Sequence, residues 1–250
     1  MAAEVEQIVA LSRALGDPAL DLAILGEGNT SLRTGEGRML VKASGASLAS
    51  VTEADFVELE IAPVTALLDD PAADDAAVAE AFAPVEARTG RRPSVEAMLH
   101  AVCLERGGAN AVGHTHPVPV LALLCSRHAP LLATHLLFPD QIVVLGRRPL
   151  FVPYVDPGLA LARRVRDEIE AHDEPPKVIY LGNHGLFVLG RTPEHVLQIT
   201  AMAVKASRVL AGALAVGGAT PLPEGDAGRI DARLDEHYRR AALERSEGHG

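Results

Sequence analysis

Hydrophobic positions recur with two different periods along this chain, and the change of period predicts where helices give way to strands. Residues 2 to 15 carry apolar side chains at helical spacing as far as Gly16. Two short apolar runs then flank the Gly-rich stretch TGEG, which predicts a β-hairpin. In VTEADFVELEI, Thr52 with Asp55 three positions later predicts a capped turn, and an alternating strand follows.

The middle of the chain predicts helices that alternate with single strands. DDPAADDAAVAEAFAPVEARTG is rich in Ala and acidic residues and is typical of a surface helix. SVEAMLHAVCLER predicts a helix that Ser94 caps and that Gly107 and Gly108 end. ANAVGHTH predicts a short strand, because Pro117 follows it and cannot continue a ladder of hydrogen bonds.

The second half repeats this alternation and closes with a long helix. We expect an apolar helix after Pro117, strands at QIVVLG and LFVPYV, and an amphipathic helix at GLALARRVRDEIEAHD. KVIYLGNHGLFVLG places two strands around GNHG, and a long helix follows with Thr192 as its cap and Pro193 at its first position. The sequence therefore predicts a mixed, layered α/β fold, a single domain over residues 1–250 with a helical tail from about 224, and not a doubly wound sheet.

Composition narrows the classes of partner. The chain has 250 residues, a formal net charge of −10, 48% hydrophobic and only 3% aromatic residues. Nucleic acids and anionic membranes need a basic face, so neither is expected as a partner. An anionic small molecule must then be held locally, by a cation, a helix N-terminus or a few basic side chains.

Three further features favour a cytoplasmic protein. Cys103 and Cys125 lie in apolar runs and are expected to be buried free thiols, which suits a reducing compartment. The N-terminus alternates charged and apolar residues and lacks the pattern of a signal peptide. We also expect no stretch long and apolar enough to span a bilayer.

Candidate chemistry begins with the strand end GHTHP. Side chains at positions i and i+2 of a strand share a face, so His114 and His116 project side by side and could bind one metal ion. A pair of half-buried histidines without metal is the alternative for such an isolated pattern. His184 in GNHG is either an ordinary turn residue or a third ligand, and a catalytic zinc site has three protein ligands and one open position.

A carboxylate and two small-residue loops complete the candidate set. Glu96 lies in the first turn of the helix expected after Ser94, where it either stabilises the helix dipole or acts as a base. The loops GEGNTS and VKASG could cradle an anion through backbone N–H groups, with Lys42 adding a charge, or they could be plain turns. The small and hydroxyl-bearing residues of these loops are Asn29, Thr30, Ser31, Ser44 and Gly45.

The chain resembles the class II aldolase/adducin family through a set of motifs in a fixed order. These are GEGNTS, VKASG, PSVEAMLH, HTHP, and NHG followed by a capped long helix. The resemblance covers residues 24 to about 210. Among the branches of the family, the sugar-phosphate aldolases of the rhamnulose-phosphate and fuculose-phosphate type look most similar. The chain shows no GxGxxG after a strand, so a fused dehydrogenase half is not expected.

The resemblance implies a fold and a set of roles. The family fold is a central, mostly antiparallel sheet flanked by helices, and its enzymes are commonly homotetramers with sites at subunit boundaries. His114, His116 and His184 would bind a divalent metal, usually zinc, although histidines also accept manganese or cobalt. Glu96 would be the acid/base residue and Tyr238 a proton donor. The anion pocket would be lined by Asn29, Ser44, Gly45 and Ser94.

The resemblance also implies the reaction. We expect a metal-dependent aldolase, a lyase that cleaves a small hydroxy-keto sugar, with a ketose phosphate as the favoured substrate, through a metal-stabilised enediolate. The chain departs from the family pattern at Ala43 and Val95, where family members often have hydroxyl side chains, and this weakens the case for phosphate. Three alternatives stay open: a sugar-acid phosphate decarboxylase, a dehydratase, and a non-catalytic adducin-like assembly module. Epimerisation ranks low, because family epimerases tend to carry aspartate at the position of Glu96.

Overall fold

One seven-stranded sheet forms the centre of the computed structural model, which describes residues 2–35 and 37–233. The strands are β1 (Asn29–Thr34), β2 (Arg38–Lys42), β3 (Phe56–Glu60), β4 (Ala111–Thr115), β5 (Leu150–Val152), β6 (Val178–Leu181) and β7 (Gly185–Gly190). Their spatial order is β3-β2-β1-β4-β7-β6-β5. All neighbours are antiparallel except β5 and β6, which are parallel. The expected mostly antiparallel sheet is confirmed.

Helices cover both faces of this sheet and make an α/β/α sandwich. They are α1 (Ala2–Leu15), α2 (Ile61–Asp69), α3 (Asp75–Thr89), α4 (Ala97–Glu105), α5 (Val118–Leu124), α6 (Leu131–Thr134), α7 (Pro139–Leu145), α8 (Leu159–Glu170), α9 (Pro193–Ala215) and α10 (Glu224–Asp231). One core lies between the sheet and α2, α3, α4 and α8, which we name the α4 face. The other core packs α1, α5, α6, α7 and α9 on the opposite side, the α9 face.

Local signals placed several elements correctly. The β1–β2 hairpin pairs Thr34 with Arg38 across the Gly-rich turn, as expected. Thr52 and Asp55 form the reciprocal capping box of a 3-10 turn that leads into β3. The side chain of Thr192 accepts the His195 N–H at the start of α9. In each case the residues that bond are only a few positions apart, so the sequence contains the whole interaction.

QIVVLG is a helix and not the strand that its β-branched residues predicted. It belongs to α7, which has Pro139 in its first turn, while Gly146 ends it at a φ of 79°. Ile142 and Val143 are both buried in this helix. Burial against neighbouring helices outweighs the modest helix penalty of β-branched residues. LFVPYV likewise yields only the three-residue strand β5.

Two other expectations need correction. Helix α4 begins at Ala97, so Glu96 precedes the helix instead of lying in its first turn; the Ser94 hydroxyl accepts the Glu96 N–H at 3.3 Å. Cys103 is buried as expected, but Cys125, the residue that caps the C-terminal end of α5, is exposed. The helix α2 was not predicted at all.

Helix α9 also corrects the expectation about membrane-spanning segments. It has 23 residues with a mean hydropathy of 1.2 over its apolar window, which is long and apolar enough to cross a bilayer. In this fold α9 packs on β4, β7, α5 and α7, and its buried residues belong to the core of the α9 face. Core helices of this kind meet the same length and composition criterion.

Candidate metal and carboxylate site

Three histidines from distant parts of the chain meet at one end of the sheet. His114 lies in β4, His116 follows directly after this strand, and His184 lies in the short turn between β6 and β7. Because β4 pairs with β7, the turn at His184 is carried to the end of β4. One ligand atom from each ring lies within 4.8 Å of the others. The expected convergence of His114, His116 and His184 is confirmed.

Close packing holds the turn against His114 and His116. A Cβ at Gly185 would lie 2.5 Å from Cδ2 of His116 and 3.0 Å from Cε1 of His114. No other residue fits there without moving the rings. Asn183 takes a left-handed conformation, with a φ of 54°, which asparagine tolerates better than most residues. The turn sequence GNHG therefore reverses the chain and also lets the rings of His114, His116 and His184 lie close together.

The ring orientations of His114 and His116 fit a bound cation. The Nδ1–H of His114 donates to the Leu186 carbonyl at 3.0 Å, and that of His116 donates to the Glu27 carboxylate. A neutral imidazole with a protonated Nδ1 presents a lone pair at Nε2. These two Nε2 atoms lie 2.9 Å apart. Two facing lone pairs repel each other unless a nearby cation neutralises them, and burial lowers the pKa of His114 to about 3, which disfavours a proton on this ring.

Glu96 lies directly against this histidine cluster. Its Oε2 is 3.3 Å from Nε2 of His114, and its Oε1 is 3.0 Å from Nε2 of His184. The carboxylate is only 7% exposed. Burial by itself would raise the pKa of Glu96, but His114, His184 and the Asn29 amide outweigh burial and lower this pKa below its ordinary value. At neutral pH the site therefore holds an ionised carboxylate beside the histidine cluster.

Asn29 and Ser94, both expected to line the pocket, contact Glu96. The Asn29 amide Nδ2 donates to Oε2 of Glu96 at 2.7 Å and to the Ser94 hydroxyl at 3.1 Å. Both side chains are buried. Pairing of β1 with β4 sets Asn29 directly opposite His114, which brings the GEGNTS loop to the metal ligands.

The other loop residues lie beside this pocket in different settings. Ser44 and Gly45 are exposed, and Gly45 has a φ of 81°. Ala43 forms a β-bridge with Pro93, which brings the VKASG loop next to Ser94. Lys42 is 2% exposed, and its ammonium donates to the carbonyls of Ala43 and Ala46. The contacts of Lys42 thus stabilise the loop that presents Ser44, and its predicted contact with substrate stays a prediction.

Two residues of the site were missed in the sequence. Glu27, in GEGNTS, binds His116, and His100, in α4, bonds to both Ser31 and Asn29. His100 could have been noticed because it follows Glu96 by four positions, close to one helical turn. Glu27 has no such local signal, since its partner is 89 residues away. Tyr238, the expected proton donor, lies outside the described residues.

Comparison with known proteins gives the family. The class II aldolase and adducin N-terminal domain matches residues 6–211. The chain belongs to the class II aldolase and adducin family. This membership agrees with the sandwich, with the order of the motifs and with the converged histidines. Class II aldolases typically use a divalent metal, and His114, His116 and His184 could bind one.

Individual relatives support the same fold. YuxG of Bacillus subtilis, an uncharacterized oxidoreductase by name, is 28% identical over 205 residues, which are 78% of this chain but only 28% of YuxG. The chain thus spans little more than a quarter of the length of that curated relative. The N-terminal class II aldolase domain of a Thermoplasma acidophilum protein has a TM-score of 0.64 and 24% identity, with 84% of this chain and 94% of the other covered. The L-fuculose-1-phosphate aldolase of Thermus thermophilus has a TM-score of 0.61 and 21% identity, with 87% of this chain and 99% of the other covered.

Proposed function

We propose that this protein is a metal-dependent aldolase that cleaves a small hydroxy-keto sugar, with a ketose phosphate as the favoured substrate. One observation carries the proposal: a buried carboxylate lies within 3.3 Å of His114 and 3.0 Å of His184 at the cluster that favours a cation. A non-catalytic assembly module of the same fold has no need of an ionised carboxylate in such a place. The L-fuculose-1-phosphate aldolase of similar fold supports the choice of substrate class.

Different residues would bind the metal and move the proton. His114, His116 and His184 would hold the metal, which supplies Lewis-acid polarisation of a substrate carbonyl when bound. Glu96 would take or return the proton on the carbon next to that carbonyl. Asn29 fixes the position of Oε2, which lies next to His114, while Oε1 lies next to His184.

An anionic group of the substrate would bind in the loops next to Glu96. The exposed Ser44 and Gly45 and the buried Ser94 border the same end of the sheet as the histidines. The net charge of −10 means that no general attraction for anions helps, so binding depends on these local groups and on the metal. Ala43 and Val95 offer no side-chain donors, hence we expect fewer phosphate contacts here than in relatives with hydroxyl residues.

The proposal is tested by metal analysis together with a substrate panel. Purified protein should contain close to one equivalent of zinc, manganese or cobalt, and it should release an aldehyde from one member of a panel of ketose phosphates. Glu96→Gln should keep the metal and lose turnover, while the matched control Glu60→Gln, at the exposed end of β3, should keep both. Turnover retained in Glu96→Gln would refute the role of this carboxylate.

The same assay separates the alternative functions. Release of CO2 from sugar-acid phosphates, or loss of water, would replace the aldolase with a decarboxylase or dehydratase at the same site. Less than about a tenth of an equivalent of metal, with none taken up on addition, would favour the assembly module. We also propose a homotetramer in the cytoplasm, which sedimentation and cell fractionation test.

A further inference from the structure

We propose that His100 is a positioning residue that fixes the Asn29 amide and, through it, the carboxylate of Glu96. The inference rests on the proposed function in one respect, because it treats Glu96 as the group that moves the proton. His100 lies in α4 on the α4 face of the sheet and is fully buried. It is not one of the three histidines (His114, His116 and His184) that could hold the metal ion.

A continuous chain of hydrogen bonds joins His100 to Glu96. The Ser31 hydroxyl lies 2.7 Å from Nδ1 of His100. Nε2 of His100 bonds to Oδ1 of Asn29, and Nδ2 of Asn29 bonds to Oε2 of Glu96 at 2.7 Å. Ser31 and Asn29 both come from β1 and, being two positions apart, share the face that α4 covers.

The chemistry of the groups sets one direction for this chain. An ionised carboxylate only accepts hydrogen bonds, so the amide nitrogen of Asn29 must face Glu96 and the amide oxygen must face His100. That oxygen only accepts, hence Nε2 of His100 carries the proton. In the neutral ring Nδ1 is then an acceptor, and the Ser31 hydroxyl donates to it. Every donor in the chain therefore points toward Glu96, and each bond polarises the next.

His100 occurs in the neutral form that this direction needs. Burial lowers the pKa of His100 to about 4; the Glu96 carboxylate acts to raise this pKa, and the Lys42 ammonium acts to lower it. The ring also packs on the Phe187 ring in a tilted arrangement, with centroids 5.2 Å apart and planes at 57°. Packing alone could be provided by an apolar ring, so the two nitrogens are the feature to test.

Measuring the tautomer of His100 tests the direction of the hydrogen-bond chain, and this measurement needs no substrate. Nitrogen-15 NMR of the histidine rings, with His100→Gln used to assign the signals, should show His100 protonated at Nε2 and unprotonated at Nδ1 around neutral pH. In Ser31→Ala the Nδ1 acceptor loses its donor, but the Asn29 oxygen still requires the proton on Nε2, so the same tautomer should remain. A wild-type His100 that is protonated at Nδ1, or at both nitrogens, would overturn the proposal even if the protein is an aldolase.

Kinetics of matched variants test the consequence. His100→Phe keeps a buried ring but removes the donor, and we expect kcat to fall about 10- to 100-fold with KM and metal content unchanged. His100→Gln can still donate from a nitrogen near the place of Nε2 and should recover much of kcat. Met98→Leu, at another buried position of α4, is the control for packing and should resemble wild type. Equal kcat in His100→Phe and wild type, or equal losses in His100→Phe and His100→Gln, would assign His100 a packing role only.

The two proposals fail in distinguishable ways. If the panel yields no substrate, the aldolase assignment falls, but the tautomer measurement still decides whether His100 orients Asn29. If a substrate is found and the tautomer is wrong, the function stands and the positioning role does not.

Discussion

Buried polar groups on the two faces of the sheet have different hydrogen-bond partners. On the α4 face, Asn29, Glu96, His100 and His114 form bonds that link β1, β4 and the start of α4. On the α9 face, buried hydroxyls mostly bond within their own helix, as Thr200 does with the Val196 carbonyl at 2.8 Å.

The Tyr180 hydroxyl makes the contrast sharper. It is fully buried on the α9 face and has no hydrogen-bond partner among the described residues, and burial raises its pKa. A buried polar group without a partner costs free energy of folding, whereas a long-range network fixes a geometry. We conclude that polar groups on the α4 face serve positioning, whereas those on the α9 face accompany packing. The following changes test this difference, from the largest expected effect to the smallest.

Removal of the loop ligand should have the largest effect. His184→Ala takes away the one ligand that comes from the β6–β7 turn, so the protein should retain less than about a tenth of an equivalent of metal and lose turnover. Elemental analysis after dialysis measures the first result. His172→Ala removes a side chain that, within residues 2–35 and 37–233, bonds to the Arg148 carbonyl; it is the control and should keep its metal. A fully loaded His184→Ala protein would contradict the metal assignment.

Loss of the Asn29 amide should affect both activity and stability. Asn29→Ala leaves the buried Glu96 and His100 without their shared partner, which should cost about 1–3 kcal/mol in the free energy of unfolding. We expect kcat to fall about 10- to 100-fold as well. Urea unfolding and steady-state kinetics measure the two quantities. A variant that is destabilised but fully active would show that the network serves folding alone.

Glu27 should matter for metal affinity more than for folding. Glu27→Gln weakens the acceptor for the Nδ1–H of His116, so metal should bind about 10- to 100-fold more weakly. Competition with a chelator measures this affinity. The control is Glu58→Gln, which alters a carboxylate paired with Arg38 at the β2–β3 edge and should leave the metal affinity unchanged. Equal affinity in the wild type and Glu27→Gln would mean that His116 needs no carboxylate to orient it.

Tyr180→Phe should have a small effect of the opposite sign. It removes a buried hydroxyl that has no partner among the described residues, so the free energy of unfolding should stay equal or rise by up to about 1 kcal/mol. Thermal and urea unfolding provide the measurement. A loss of more than about 1 kcal/mol would show that the hydroxyl does have a partner, and the contrast between the faces would weaken.

The cysteines provide a last and smaller check on packing. Cys125 is exposed, whereas Cys103 is fully buried in α4, where burial raises the pKa of its thiol. A thiol reagent at neutral pH should therefore label Cys125 in the folded protein and Cys103 only after unfolding. Mass spectrometry of the labelled protein distinguishes the two sites. Early labelling of Cys103 would indicate that α4 opens readily.

Sequence by itself determined the parts that depend on near neighbours. The caps of the 3-10 turn before β3 and of α9, the β1–β2 hairpin and the shared face of His114 and His116 each follow from spacings of a few residues. The ordered motifs also indicated the family, which the domain match establishes. The prediction for the short apolar run QIVVLG was wrong because periodicity alone cannot separate a buried strand from a buried helix.

Tertiary structure decided everything that joins distant positions. His184 reaches His114 only because β4 pairs with β7, and Asn29 reaches it only because β1 pairs with β4 on the other side. Glu96 precedes α4 instead of lying inside it, which no cap residue revealed. Glu27 and His100 gained their roles from partners 89 and 71 residues away. Local preferences contain no information on such pairs, because the strand order that creates them is chosen by burial of the whole sheet.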